Sequence, residues 1–244
     1  MPSPNTAAES SGPQGAGIAA LCSGGLDSAV MLVEFAKSYR EVWPLYVRCG
    51  LPWEEQETRF LECFLGQIKN PAIRPVETLD LPMTDVYGQA WYASGVGVPG
   101  YDEADERWEI PGRNIILLSK AAVWCALHSV GAIGLGVLAS NPFPDASVGF
   151  FKLMEESLST GLGHPLRVLR PFAELHKPDV VFLGRRLPLH LTLSCASPTA
   201  GKHCGRCGKC RERIEAFAAA GVEDRTEYAR TTTDGKSRGK GTKA

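Results

Sequence analysis

Apolar and polar positions follow two alternating rhythms along the first part of the chain. GIAALC, residues 17–22, is an unbroken apolar run of strand length, whereas DSAVMLVEFAKSY carries its apolar residues at helical spacing. EVWPLYVRC then reads as a second strand, WEEQETRFLECFLGQI as a helix and AIRPVETLDL as a third strand. Strands that alternate with helices form βαβ units, so the pattern predicts an α/β domain on a parallel sheet.

The rhythm stops at residues 82–112, where glycine, proline and aromatic residues crowd into GQAWYASGVGVPGYDEADERWEIPG. Loops of that length in compact domains usually serve function, and a segment covering a substrate is expected here rather than a bland insert. Patterning resumes with NIILLSKAAVWCALHSV as a helix, AIGLGVLA as a strand and VGFFKLMEESLSTG as a helix closed by Gly161. HPLRVLRPF reads as a last short strand, and Pro178 suits the first turn of a helix in PDVVFLGRRL.

A chain of 244 residues accommodates one large α/β domain with a small appended module. With 26 Lys and Arg against 27 Asp and Glu, charge gives no case for nucleic acid or a membrane surface as partner. The opening MPSPNTAAESSGPQGA has neither basic residues nor a long apolar core; it reads as a disordered leader, not a secretory signal. No run approaches the roughly 18 apolar residues of a membrane span. The expected division is a leader at 1–16, a main domain at 17–192, a cysteine module with a helix at 193–222 and a polar basic tail at 223–244. Four of the eight cysteines fall between 195 and 210, which fits a reduced, cytoplasmic protein with one metal site better than a disulfide framework.

Two stretches carry chemistry. The first is LCSGGLDS, in which a strand end, a glycine turn and a helix start converge on one point. Leu21, Cys22, Ser23, Gly24, Gly25, Leu26, Asp27 and Ser28 make up this candidate anion site, where backbone N–H groups and a helix dipole favour a phosphate. Gly24 and Gly25 let the backbone approach closely, Ser23 and Ser28 offer hydroxyls, and Asp27 would either cap the helix or hold Mg²⁺ on a pyrophosphate. Neither GxxxxGK[ST] nor GxGxxG is present. The second stretch places Cys195, Cys204, Cys207 and Cys210 as C-x8-C-x2-C-x2-C. Four thiolates close a tetrahedral Zn²⁺ shell of structural type, with an iron–sulfur cluster as the competing occupant. His203 is read as a surface neighbour, not a ligand. Between the two, Arg113 could hold a phosphate or carboxylate in bidentate fashion, and Asn114 a base edge or ribose; a helix cap with a surface arginine is the plainer alternative.

Ser23-Gly24-Gly25-Leu26-Asp27-Ser28 resembles the SGGxDS loop of the N-type ATP pyrophosphatases, which split ATP between its α and β phosphates to adenylate a substrate. Taken with the cysteine cluster, IPGRNIILLSKAA, similar to a PxRN segment, and FPDASVGFF, similar to a YPDCRPEF segment, the chain resembles the 7-cyano-7-deazaguanine synthase family over roughly residues 17–220. The resemblance implies a PP-loop ATP pyrophosphatase domain, similar to the adenine nucleotide alpha hydrolases, with a C-terminal zinc-binding helical module. It implies a ligase that adenylates a 7-deazaguanine carboxylate, couples it to ammonia and dehydrates the amide to a nitrile, using ATP, Mg²⁺ and Zn²⁺. Asp27, Ser28 and Arg113 would then be catalytic, and Arg113, Asn114 and Asp145 would meet the substrate. Members often form homodimers, although nothing in the sequence demands one. The chain departs from the family where Pro52, Trp53, Glu54 and Glu55 replace a Tyr-Gly-Gln-Arg-His-like stretch, and where Ala146-Ser147 replaces Cys-Arg. These changes leave open a different acyl substrate or amine. A tRNA-modifying thiolase of the same superfamily, or a domain that binds a nucleotide without turnover, are the remaining readings.

Overall fold

The computed structural model describes residues 17–229, so the expected leader and the far end of the tail lie outside the described residues. Five strands form one parallel sheet in the order β3-β2-β1-β4-β5. They are β1 (Gly17–Leu21), β2 (Glu41–Arg48), β3 (Glu77–Asp80), β4 (Ala132–Gly134) and β5 (Arg167–Leu169). The helices are α1 (Leu26–Phe35), α2 (Glu54–Ile68), the short α3 (Thr84–Tyr87) and α4 (Trp91–Ser94), α5 (Arg113–Leu127), α6 (Val148–Leu162), α7 (Lys177–Leu183) and α8 (Gly208–Ala220).

The apolar run of β1 is long because this central strand is buried on both faces. Successive side chains point to opposite sides. Ala19 and Leu21 join Leu45, Ile133, Leu118 and Ala122 on one face, while Ile18 and Ala20 join Val30, Val42, Val181 and Phe217 on the other. From β1 the sheet grows one way through β2 and β3, then the other way through β4 and β5. The carboxyl ends of β1 and β4 therefore flank the switch point where α/β sheets bind ligands. Among the described residues, no helix is long and apolar enough to cross a membrane.

Several expectations need correction. The strand expected over AIGLGVLA is confined to Ala132–Gly134, with one further ladder bond from Leu135 N to Leu169 O at 2.9 Å. Beyond it, Gly136 comes up against Asp27, where a Cβ would lie 3.3 Å from that residue's backbone, so the chain bends past α1 instead of continuing the ladder. Helix α6 is closed not by Gly161 but by Gly163, whose φ of 59° is the left-handed conformation that ends a helix. The segment 82–112 is not bare loop either: Trp91 stacks on Trp53 at 5.8 Å and meets Trp108 edge-on at 5.3 Å, which pins α3, α4 and a 3-10 turn to the body. The start of the expected tail also folds back, with Ala229 N donating to His203 O at 2.7 Å.

Candidate active site

After β1 the ladder continues one residue further, Cys22 N donating to Leu45 O at 2.9 Å, and then the chain turns. Gly24 has φ of 69°, and a Cβ there would lie 2.4 Å from Glu57 O, so both conformation and space demand glycine. Gly25 caps α1 without any side chain. The two hydroxyls brace the turn from within: Ser28 Oγ donates to Gly25 O at 3.0 Å and accepts from Ser23 N, while Ser23 Oγ accepts from Gly25 N. Leu26, Asp27 and Ser28 form the first turn of α1, where N–H groups have no preceding carbonyl of their own helix to meet. A cleft of about 320 Å³ opens there, lined by Leu21, Cys22, Ser23, Gly25, Asp27 and Ser28 and, across from them, by Arg113, Asn114 and Asp145. Leu26 is turned into the core instead.

Asp27 does not cap the helix. Its Oδ2 accepts from Lys177 Nζ at 2.5 Å, and its Oδ1 is buried without a hydrogen-bond partner among the described residues. Lys177 also lies 3.4 Å from Glu212 Oε1, and Glu212 Oε2 lies 3.1 Å from Lys209 Nζ. Burial opposes the charge on Lys177, but Asp27 and Glu212 outweigh it and raise the pKa of the ammonium above the ordinary lysine value. Burial likewise acts against the Glu212 carboxylate, yet Lys177 and Lys209 pull its pKa down to about 2. Sequence reasoning missed Lys177. The available signal was a cation in the first turn of a helix, in HKPDVV, where the dipole is unfavourable unless a carboxylate faces it.

On the far wall, two expected substrate residues are engaged with each other. Asp145 Oδ2 accepts from Asn114 N at 2.8 Å, and Asn114 Nδ2 donates to Asp145 O at 2.9 Å. Because Gly112 offers α5 no cap of its own, the Asp145 carboxylate serves that helix start. Arg113 shares the cleft with Glu57, whose Oε2 accepts from Tyr46 Oη at 2.7 Å. Burial pushes the Glu57 pKa up to about 7 against the opposing pull of Arg113 and Tyr46. Glu54, in the departure from the family pattern, accepts from Cys49 N at 2.6 Å and Gly50 N at 3.0 Å. Its carboxylate closes off the end of β2.

The four clustered cysteines are brought together as expected. Their sulfurs all lie within 4.8 Å of one another, three of the pairs at 3.6, 3.9 and 4.0 Å. A tetrahedral ion with metal–sulfur bonds of about 2.3 Å needs edges of about 3.8 Å, so this donor set fits one metal ion. Backbone donors support the thiolates: Cys195 Sγ accepts from Cys204 N and Ser197 N, and Cys204 Sγ from Arg206 N. His203 is not the surface residue expected. It is buried, its Nε2 accepts from Ser194 N at 3.0 Å, and its ring meets Phe60 and Tyr228. Burial, with Arg213 nearby, holds its pKa at about 3, so the ring is neutral and braces the module. The module and the glycine turn touch directly, Leu193 N donating to Gly24 O at 2.8 Å.

A family model described as queuosine biosynthesis protein QueC matches residues 18–221. The 7-cyano-7-deazaguanine synthase of Anaeromyxobacter dehalogenans is 33% identical over 225 residues, covering 86% of this chain and 94% of that one. The synthase of Brucella ovis is 32% identical over 219 residues, 85% of this chain and 91% of its own. Among solved structures, the U34-tRNA thiolase NcsA of Methanococcus maripaludis aligns with a TM-score of 0.47 at 14% identity, over 84% of this chain and 65% of that chain. With a family model spanning nearly all the described residues, the chain belongs to the QueC family of queuosine biosynthesis proteins.

Proposed function

We propose that the protein is an ATP-dependent carbon–nitrogen ligase that adenylates a 7-deazaguanine carboxylate and couples it to ammonia, giving 7-cyano-7-deazaguanine. The observation that carries this reading is the glycine turn and bare first turn of α1, open to a cleft at the sheet's switch point on a QueC-family chain. A carboxylate is a poor acyl donor. Its attack on the α-phosphorus of ATP forms an acyl adenylate and releases pyrophosphate. Ammonia then adds to the acyl carbon and AMP departs, leaving the amide. A second adenylation, on the amide oxygen, again releases pyrophosphate; loss of AMP and of both nitrogen-bound protons then leaves the nitrile.

The first-turn amides of α1 and the Lys177 ammonium would hold the phosphates, and Arg113 would grip a phosphate or the carboxylate. Ser28 keeps the turn in shape. The unpartnered Asp27 Oδ1 suits Mg²⁺, which when bound offsets phosphate charge. Asn114 and Asp145 flank the substrate end of the cleft, and the four clustered thiolates would hold Zn²⁺ as a closed structural centre. Residues 17–192 then form the nucleotide-binding body and 193–222 the metal module. The crowding of four of the eight cysteines into one ligand-like cluster supports a reduced compartment.

The test is a product mass spectrum after incubation with 7-carboxy-7-deazaguanine, ammonium, Mg²⁺ and ATP. Nitrile with AMP and pyrophosphate is expected. Amide alone would remove the second activation, and no product from protein that still binds ATP would remove the substrate assignment.

A further inference from the structure

Lys209 stands between two of the clustered thiols, Cys207 and Cys210, in the first turn of α8. Its neighbour shows how tightly this turn is held. A Cβ at Gly208 would lie 2.8 Å from the Trp108 indole nitrogen, so the turn closes against the tryptophan only because residue 208 has no side chain. An antiparallel bridge between Gly100 and Cys207 grips the same turn from the long loop. Lys209 is thus carried on a segment fixed by metal ligands on both sides and by Trp108 behind.

Its side chain lines two adjoining recesses that meet beside Asp27, one containing the glycine turn and the other the start of α7. The charges there form a row: Asp27, Lys177, Glu212, Lys209. Lys177 is 14% exposed and lies between two carboxylates, so most of its charge is already offset. Lys209 is 44% exposed, has Glu212 as its one carboxylate partner among the described residues and lies 5.7 Å from the centre of the Trp108 ring. An ammonium has three donors, which leaves Lys209 capacity for an incoming anion at the mouth of the site. A triphosphate brings more negative charge than the committed Lys177 offsets.

We propose that Lys209 binds the β- and γ-phosphates of the nucleotide and the pyrophosphate formed from them, so that the metal module supplies a ligand-touching residue to the active site. This rests on the ATP reading above and assigns a residue that neither the glycine-turn motif nor the cysteine spacing designates. Glu212 holds the ammonium in readiness, and the ligand cysteines set where it can reach.

The experiment uses the metal-loaded protein and its Lys209→Met and Lys209→Arg variants. Calorimetry measures affinity for α,β-methylene-ATP, inorganic pyrophosphate and AMP, alongside metal content and melting temperature. Lys209→Met is expected to weaken both polyphosphates by roughly ten- to a hundredfold, to leave AMP within about twofold, and to keep metal and melting temperature unchanged. Lys209→Arg should recover most of the loss. Unchanged polyphosphate affinity in Lys209→Met overturns the proposal while the ATP reading stands. An equal loss for AMP also overturns it, since that marks a distorted site and not a lost phosphate contact. If the wild-type protein binds neither polyphosphate, both readings fall together.

Discussion

Asp27 is held at one carboxylate oxygen and unpartnered at the other, and that asymmetry separates its structural and catalytic parts. Lys177→Met removes the partner and leaves a charged, half-buried carboxylate, at an expected cost of about 1–3 kcal/mol in urea unfolding; adding Asp27→Asn should return part of it. Asp27→Ala, by contrast, leaves Lys177 paired with Glu212, so the chain should fold, bind its metal and lose ATP turnover. Glu57 offers a pH test. Its pKa is raised from 4.5 to about 7, so the folded protein keeps a proton that the unfolded chain has released, and stability falls as pH rises across that window. Glu57→Gln should remove the slope, gaining up to about 3 kcal/mol on the wild type between mildly acidic and mildly alkaline buffer, read from denaturation midpoints. Asp27 was legible because it sits inside a contiguous six-residue string. Lys177 was not, because its meaning comes from a pairing across 150 residues, and no local pattern reports such a distance.

At the scale of elements, the alternation of apolar runs and helical spacing was enough to foresee the parallel sheet and the principal helices. What it could not foresee was where each element stops. AIGLGVLA is apolar enough for a long strand, but the Phe35 ring fills the space a side chain at position 134 would need, so only glycine fits there, and Gly136 must slide past Asp27. A Cβ at Gly134 would lie 2.1 Å from that ring, so Gly134→Ala should cost at least about 1–3 kcal/mol by overpacking, seen as a lowered melting temperature. The Asn114 and Asp145 segments both carry a signal in the sequence, yet their mutual hydrogen bonds leave none, because each residue reads equally well as a ligand for something else. His203 is hidden from the sequence for a related reason: a polar residue in a glycine-rich stretch looks exposed until the segment at Glu227 and Ala229 closes over it.

At the scale of the molecule, four thiols from a short stretch lie in the same hydrophobic cluster as β1, β2 and α5, so a metal ion held by them would belong to the core of the body. Chelation should therefore do more than loosen an appendage. Removing the metal, or making Cys207→Ser, is expected to lower the melting temperature of the whole chain in one transition. Elemental analysis should find one zinc per chain, and stoichiometric iron with brown colour would overturn that assignment. The bond from Leu193 N to Gly24 O carries this dependence to the reacting end of the protein. A fragment ending at residue 192 would contain every letter of the SGGLDS string and still lack the brace beneath it. The glycine turn and the cysteine cluster are joined through the main chain, so moving the turn alone to another scaffold would leave the Gly24 carbonyl without its partner.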